Sequence, residues 1–150
     1  MVEIRRNRNA YNILKNKLES GELQNIAKSI FTYYNLQNRN LFNKNKRQYA
    51  VVNNKGEFVG FAILTNNNNN IRYLEMIAFN KNARNKGYGT TLMRKIINNA
   101  KNNKKKIKLN VRTNSVPRPN GKTLQGFYGK LGFKAGVNNN GFTPMYQNNN

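Results

Sequence analysis

Residues 73–93 read Tyr73-Leu74-Glu75-Met76-Ile77-Ala78-Phe79-Asn80-Lys81-Asn82-Ala83-Arg84-Asn85-Lys86-Gly87-Tyr88-Gly89-Thr90-Thr91-Leu92-Met93. The run from 71 to 79 is apolar enough for a central strand. Residues 80–86 are polar, and a Gly-X-Gly turn closes the loop. The following stretch, 90–102, is an amphipathic helix with Leu92, Met93, Ile96, Ile97 and Ala100 on one face. A strand, a Gly-rich loop and a helix in that order form an anion cradle. The first N–H groups of the helix have no carbonyl partner within it, and the helix dipole adds attraction for negative charge. Glycine at 87 and 89 removes the Cβ that would hold a phosphate away. Thr90 adds a hydroxyl, and Lys81, Arg84 and Lys86 add charge. An ordinary tight loop before a helix remains the alternative at this point.

Working outward, residues 1–8 hold one short strand with Val2 and Ile4 alternating. Residues 9–36 have helical periodicity, broken by Ser20-Gly21 into two helices, with Ser20 as N-cap of the second. Residues 48–52 (QYAVV) and 57–65 (EFVGFAILT) are strands joined by the turn Asn53-Asn54-Lys55-Gly56, a hairpin. The Asn run 66–70 reads as a loop. Residues 106–112 (KIKLNVR) alternate as a half-buried strand. Pro117 and Pro119 make 113–120 a loop, and 121–131 is a short helix carrying Leu124, Phe127, Tyr128 and Leu131, ended at Gly132. A last hairpin broken at 138–141 reaches Tyr146, and 146–150 is expected to fray. The order β, α, α, β, β, β, α, β, α, β, β predicts a single α/β (α+β) domain over 1–150, a mixed, mostly antiparallel sheet flanked by helices.

Composition excludes much chemistry. Among 150 residues there are 27 Lys+Arg, 5 Glu, 33 Asn and no Asp, His or Cys. No Ser-His-Asp triad, thiol nucleophile, disulfide or Cys/His zinc site can be built, and no carboxylate metal site is expected. A carboxylate base has to be Glu3, Glu19, Glu22, Glu57 or Glu75. The Asn, Lys, Ile and Tyr surplus is what AT-rich coding produces, as in large DNA viruses or AT-rich protists.

The segment Arg84-x-x-Gly87-x-Gly89-Thr90-x-Leu92-Met93, placed after the strand Tyr73 to Phe79, resembles the coenzyme A motif of the GNAT (general N-acetyltransferase) superfamily. Lys86-Gly87-Tyr88-Gly89-Thr90 is similar to its histone-acetyltransferase branch. Phe127-Tyr128-Gly129-Lys130-Leu131-Gly132-Phe133 resembles the family's Y-x-K-x-G-F segment, and the two elements stand in family order with a strand between them.

The resemblance implies acetyl-CoA as cosubstrate, with no metal. Backbone amides from Lys86 to Thr90 would hold its pyrophosphate, within a coenzyme-binding turn made of Arg84, Asn85, Lys86, Gly87, Tyr88, Gly89 and Thr90. Ile77, Ala78 and Phe79 would pair by backbone with the pantetheine arm, and a splayed central strand pair, 71–79 against 106–112, would make the acetyl slot. Tyr128 stands at the family's general-acid position, with a core-facing aromatic as the alternative. The chemistry requires such groups: an alkyl amine of pKa about 10.4 is almost wholly protonated at neutral pH, so a base must remove its proton, and an acid assists the departing thiolate. Glu75 is the base candidate, because of the five carboxylates it alone lies on the strand beside the coenzyme. A structural ion pair with a neighbouring Lys or Arg is the alternative. Glu75 is not at the position of the histone-enzyme base, which lies nearer the start of that strand. The family's Asn seven residues before the Tyr falls here on Gly121, leaving Asn110, Asn114 and Asn120 as open candidates.

The acceptor is expected to be a primary amine on a protein lysine or N-terminus, or on a small molecule. A formal charge of +22 favours nucleic acid or another polyanion as an additional partner and opposes polycationic acceptors. The second reading is therefore a basic nucleic-acid-associated or virion protein that keeps the fold with little catalysis. No apolar run reaches membrane-spanning length, so a soluble, intracellular chain is expected. Oligomeric state is not legible.

Overall fold

The computed structural model describes residues 3–23, 46–68, 70–112, 124–137 and 141–147. The described elements are β1 (Glu3–Arg6), α1 (Asn7–Glu19), β2 (Arg47–Val52), β3 (Phe58–Asn68), β4 (Ile71–Phe79), a 3-10 turn (Lys81–Ala83), α2 (Tyr88–Asn102), β5 (Lys106–Arg112), α3 (Leu124–Lys130), β6 (Phe133–Ala135) and β7 (Phe142–Gln147). The strands are hydrogen-bonded in the order β1-β2-β3-β4-β5-β7-β6. The pairs β1–β2, β2–β3, β5–β7 and β6–β7 are antiparallel, and β4–β5 is parallel. This is the mixed α+β, mostly antiparallel sheet that the element order predicts. Chain contacts divide it into two compact units, 1–65 with 75–92, and 66–74 with 93–150.

In the first unit, α1 places Ala10 and Leu14 one turn apart, both fully buried. They pack with Ala50, Phe61, Ile63 and Met76 into one core cluster, joined by Ile13, Leu18 and Ala78 at its edge. Ala50 and Phe61 are direct partners in the β2–β3 register, so both side chains stand on one face of the sheet. Met76 and Ala78 reach the same cluster from β4. Period two therefore turns Glu75, Ile77 and Phe79 to the opposite face. The hairpin turn forms as expected: Gly56 N–H donates to the Asn53 carbonyl at 3.0 Å, and Asn53 Oδ1 accepts from the N–H groups of Lys55 and Glu57, each at 2.9 Å.

In the second unit, Ile107, Leu109 and Val111 of β5 are buried, as the alternation of KIKLNVR predicts, and so are Met93, Ile96 and Ala100 of α2. The β4–β5 ladder runs from Ile71–Lys106 to Tyr73–Lys108. Ile107 N–H donates to Gln147 Oε1 at 3.0 Å.

Several boundaries differ from the sequence reading. Asn66 to Asn68 continue β3 where a loop was expected: Asn disfavours strands through its local hydrogen bonding, but here the backbone stays extended. Tyr88 and Gly89 belong to the first turn of α2, because first-turn N–H groups need no helical partner and so tolerate Gly there. Tyr146 and Gln147 are not frayed: they pair in β7 with Lys134 and Phe133. Ser20 does accept from Glu22 N–H, at 3.5 Å, but beyond Leu23 the second expected helix lies outside the described residues. So do Asn114, Asn120 and Gly121.

Candidate active site

The strand β4 ends at Phe79 and the chain turns at once, because Asn80 N–H donates to the Val59 carbonyl at 2.8 Å. The 3-10 turn follows, and Ala83 N–H closes it on the Asn80 carbonyl at 2.8 Å. Arg84 then reaches back, its Nε donating to the Phe79 carbonyl at 3.2 Å. The loop is thus laced to the strand end by its own residues. Asn85 (φ 63°) and Gly87 (φ 82°) both take left-handed backbone. Gly87 carries the sharper demand, since it is the residue before α2 and its carbonyl accepts from Thr91 N–H at 3.1 Å and from the Thr91 hydroxyl, also at 3.1 Å. That bond is the first of the helix. The N–H groups of Tyr88, Gly89 and Thr90 precede it and have no carbonyl to meet within the helix.

The site's electrostatics follow. Lys81, Arg84 and Lys86 are all exposed around the turn, and no carboxylate occurs in residues 76–90. Fifteen residues of α2 align their dipole on the same point. An open polar pocket of about 390 Å³ flanks the turn on the β2–β3 hairpin side, lined among others by Asn53, Lys55, Asn80, Asn82, Lys86 and Tyr88, with Glu57 its one carboxylate. The donor set suits a phosphate.

Glu75 lies on β4, two residues before Ile77 on the same face. Its carboxylate is taken up by Lys46: Nζ lies 3.2 Å from Oε1 and 3.0 Å from Oε2, with side chains 19% and 21% exposed. The ion pair left open by the sequence is formed. In the sequence Lys46 is one of three cations, with Lys44 and Arg47, that stand just before the hairpin. Nothing local marks it as the partner of a residue 29 positions away, since that proximity comes from sheet pairing. Phe79 is half-buried and stacks on Tyr88, ring centroids 6.5 Å apart and planes 26° apart. Of Ile77, Ala78 and Phe79, the last has its carbonyl already engaged by Arg84.

Glu75, Ile77, Ala78, Phe79 and the turn 84–90 all fall in the first unit. Tyr128 is in the second. It is buried on α3, its ring edge-on to Phe127 at 5.1 Å and to Phe133 at 5.8 Å. Asn110, one of the open candidates, donates its side-chain amide to the Tyr73 hydroxyl at 2.9 Å. Among the described residues no cluster of His, Cys, Asp or Glu could hold a metal, and no helix is long and apolar enough to cross a membrane.

The family model of the acetyltransferase (GNAT) family matches residues 12–133. The chain belongs to the GNAT acetyltransferase family. Solved GNAT structures superpose over nearly its whole length. The PaiA N-acetyltransferase of Thermoplasma acidophilum, in complex with coenzyme A, matches with a TM-score of 0.71 and 16% identity over 99% of both chains. A GNAT family acetyltransferase of Elizabethkingia anophelis with acetyl-CoA bound matches at 0.64 and 18% over 97% of both. The ribosomal-protein-S18-alanine N-acetyltransferase of Escherichia coli matches at 0.67 and 16%, over 98% of this chain and 93% of that one. No protein of curated function matches. These likenesses establish the fold.

Proposed function

We propose that the chain is an acetyl-CoA-dependent N-acetyltransferase that moves an acetyl group to a primary amine in a direct ternary complex. The observation that carries this reading is the turn 84–90. Left-handed Gly87 opens α2 so that the Tyr88, Gly89 and Thr90 N–H groups share one end of a fifteen-residue helix, with the three exposed cations Lys81, Arg84 and Lys86 beside them and no carboxylate within residues 76–90. A pyrophosphate fits that donor set by charge and by hydrogen-bonding capacity. When bound, acetyl-CoA supplies a thioester whose acetyl carbon a neutral amine can attack.

The chain's own residues divide the rest of the work. Ile77 and Ala78 offer edge backbone to the pantetheine arm in the manner of an added strand. Glu75 receives a proton from the acceptor ammonium, and Tyr128 supplies one to the departing thiolate. The balance closes: a C–N bond forms, the C–S bond breaks, the nitrogen gives up two protons, one goes to sulfur and one to solvent through Glu75.

The test is thermal stability with and without acetyl-CoA, in about 0.3 M salt to suppress loose polyanion binding to the +22 chain. At a hundred times Kd the coenzyme should add about 2.7 kcal/mol. ATP is the phosphate control and Gly89→Glu the site control. A gain specific to acetyl-CoA and absent in the variant supports the reading; no gain, or an equal gain with ATP, overturns it.

A further inference from the structure

Lys46 holds the carboxylate that a cationic acceptor would need. Its ammonium touches both oxygens of Glu75, and only about a fifth of either side chain remains exposed. No other described carboxylate can replace it on the coenzyme strand. Glu3 is paired with Arg5 at 2.7 Å and Glu22 with Lys17 at 2.9 Å. Glu57 stands at the hairpin turn, where Asn53 donates to it at 3.4 Å, and Glu19 ends α1. An acceptor bearing only an ammonium therefore meets another ammonium at Glu75. In a chain of +22 nothing distant offsets that repulsion.

A molecule with both signs of charge meets no such opposition. Its anion can take Lys46 while its ammonium takes Glu75. One ion pair becomes two, and neither half-buried side chain is left uncompensated. Removing Lys46 without a replacement anion would instead leave that cation unpaired. The exchange also frees Glu75 to take the proton it is assigned. We infer that the acceptor is a small zwitterion, a primary amine with a carboxylate or similar anion a few bonds away, of the free amino-acid class. This rests on the reading of β4 as the coenzyme strand, and it makes Lys46 the residue that sets acceptor specificity.

The test measures thiol release from acetyl-CoA with two pools of amines, the common amino acids as free acids and the same compounds as carboxamides. The wild-type chain should turn over the acid pool at least about tenfold faster, since a site with a charged partner to satisfy rejects the analogue lacking it. Lys46→Met should abolish that preference while leaving stabilisation by acetyl-CoA alone unchanged; Lys46→Arg should keep the preference. Equal or faster turnover of the carboxamides by the wild type overturns the inference. So does turnover of neither pool while the acetyl-CoA stabilisation persists. Loss of that stabilisation in the wild-type chain overturns the proposed function instead.

Discussion

Gly60 of β3 lies under the ring of Phe79. A Cβ built on Gly60 would stand 2.6 Å from Cε1 and 2.8 Å from Cγ of that ring, distances that no real side chain adopts. The ring in turn stacks on Tyr88, the first residue of α2. A residue without a side chain on one strand thus sets where an aromatic ring lies on the next, and that ring backs the first turn of the helix.

Gly60→Ala should therefore destabilise the chain by about 1–3 kcal/mol, the ordinary cost of overpacking. It should also weaken stabilisation by acetyl-CoA, because Tyr88 carries one of the N–H groups of the turn. The double variant Gly60→Ala with Phe79→Leu should recover most of both. Urea denaturation with and without coenzyme checks this, and strictly additive losses would refute the relay.

Gly87 behaves differently. Nothing lies within 4 Å of a Cβ placed there, so space is no objection; the backbone at φ 82° is. Gly87→Ala should cost about 1–2 kcal/mol, and Gly87→Asn less, since Asn tolerates the left-handed region. Chemical denaturation of the three proteins should rank them Gly, Asn, Ala. An Ala variant as stable as the wild type would show that the turn relaxes to another conformation.

Much of this was legible because it is local. The turn residues 84–90, the periodicity of α2 and the alternation of β5 each repeat a pattern within a dozen residues. The hairpin at 53–57 follows from Asn53 and Gly56 alone. What sequence reading missed was long-range. Glu75 was recognised by its strand, and Lys46 only as one cation among 27; their meeting depends on sheet pairing across 29 positions. Nothing near Gly60 in the sequence marks Phe79 as its neighbour, because the ring comes from another strand 19 positions on. The Asn run misled in the other direction, since composition signals a loop while backbone geometry carries β3 on to Asn68.

Arg72 is a further long-range case. It is 4% exposed, on β4, and its Nη1 donates to Asn99 Oδ1 of α2 at 2.8 Å. A buried guanidinium here leans on a neutral amide. Asn99→Ala should cost about 1.5–3 kcal/mol, the worth of a hydrogen bond to a charged group. Arg72→Met together with Asn99→Leu should cost less than the sum of the single changes, because neither partner is then left wanting. A double-mutant cycle by urea denaturation measures the coupling, and a coupling near zero would place the stabilisation of Arg72 elsewhere.

Tyr128 allows structure and chemistry to be separated. Its ring is packed edge-on between Phe127 and Phe133, which a phenyl ring can also do. Tyr128→Phe should therefore change stability by no more than about 1.5 kcal/mol, the scale of one hydroxyl's hydrogen bonding. If the hydroxyl protonates the departing thiolate, kcat should nevertheless fall by about 10²-fold or more, with acetyl-CoA still stabilising the protein. Tyr128→Ala should lose about 3–5 kcal/mol through the cavity it leaves, so its inactivity would carry no mechanistic weight. The Phe variant is the decisive one. Steady-state rates with a saturating acceptor, beside a thermal denaturation curve, distinguish the outcomes. A stable, coenzyme-binding and fully active Tyr128→Phe protein would reduce Tyr128 to a packing residue of α3, and the thiolate's proton would then have to come from another donor.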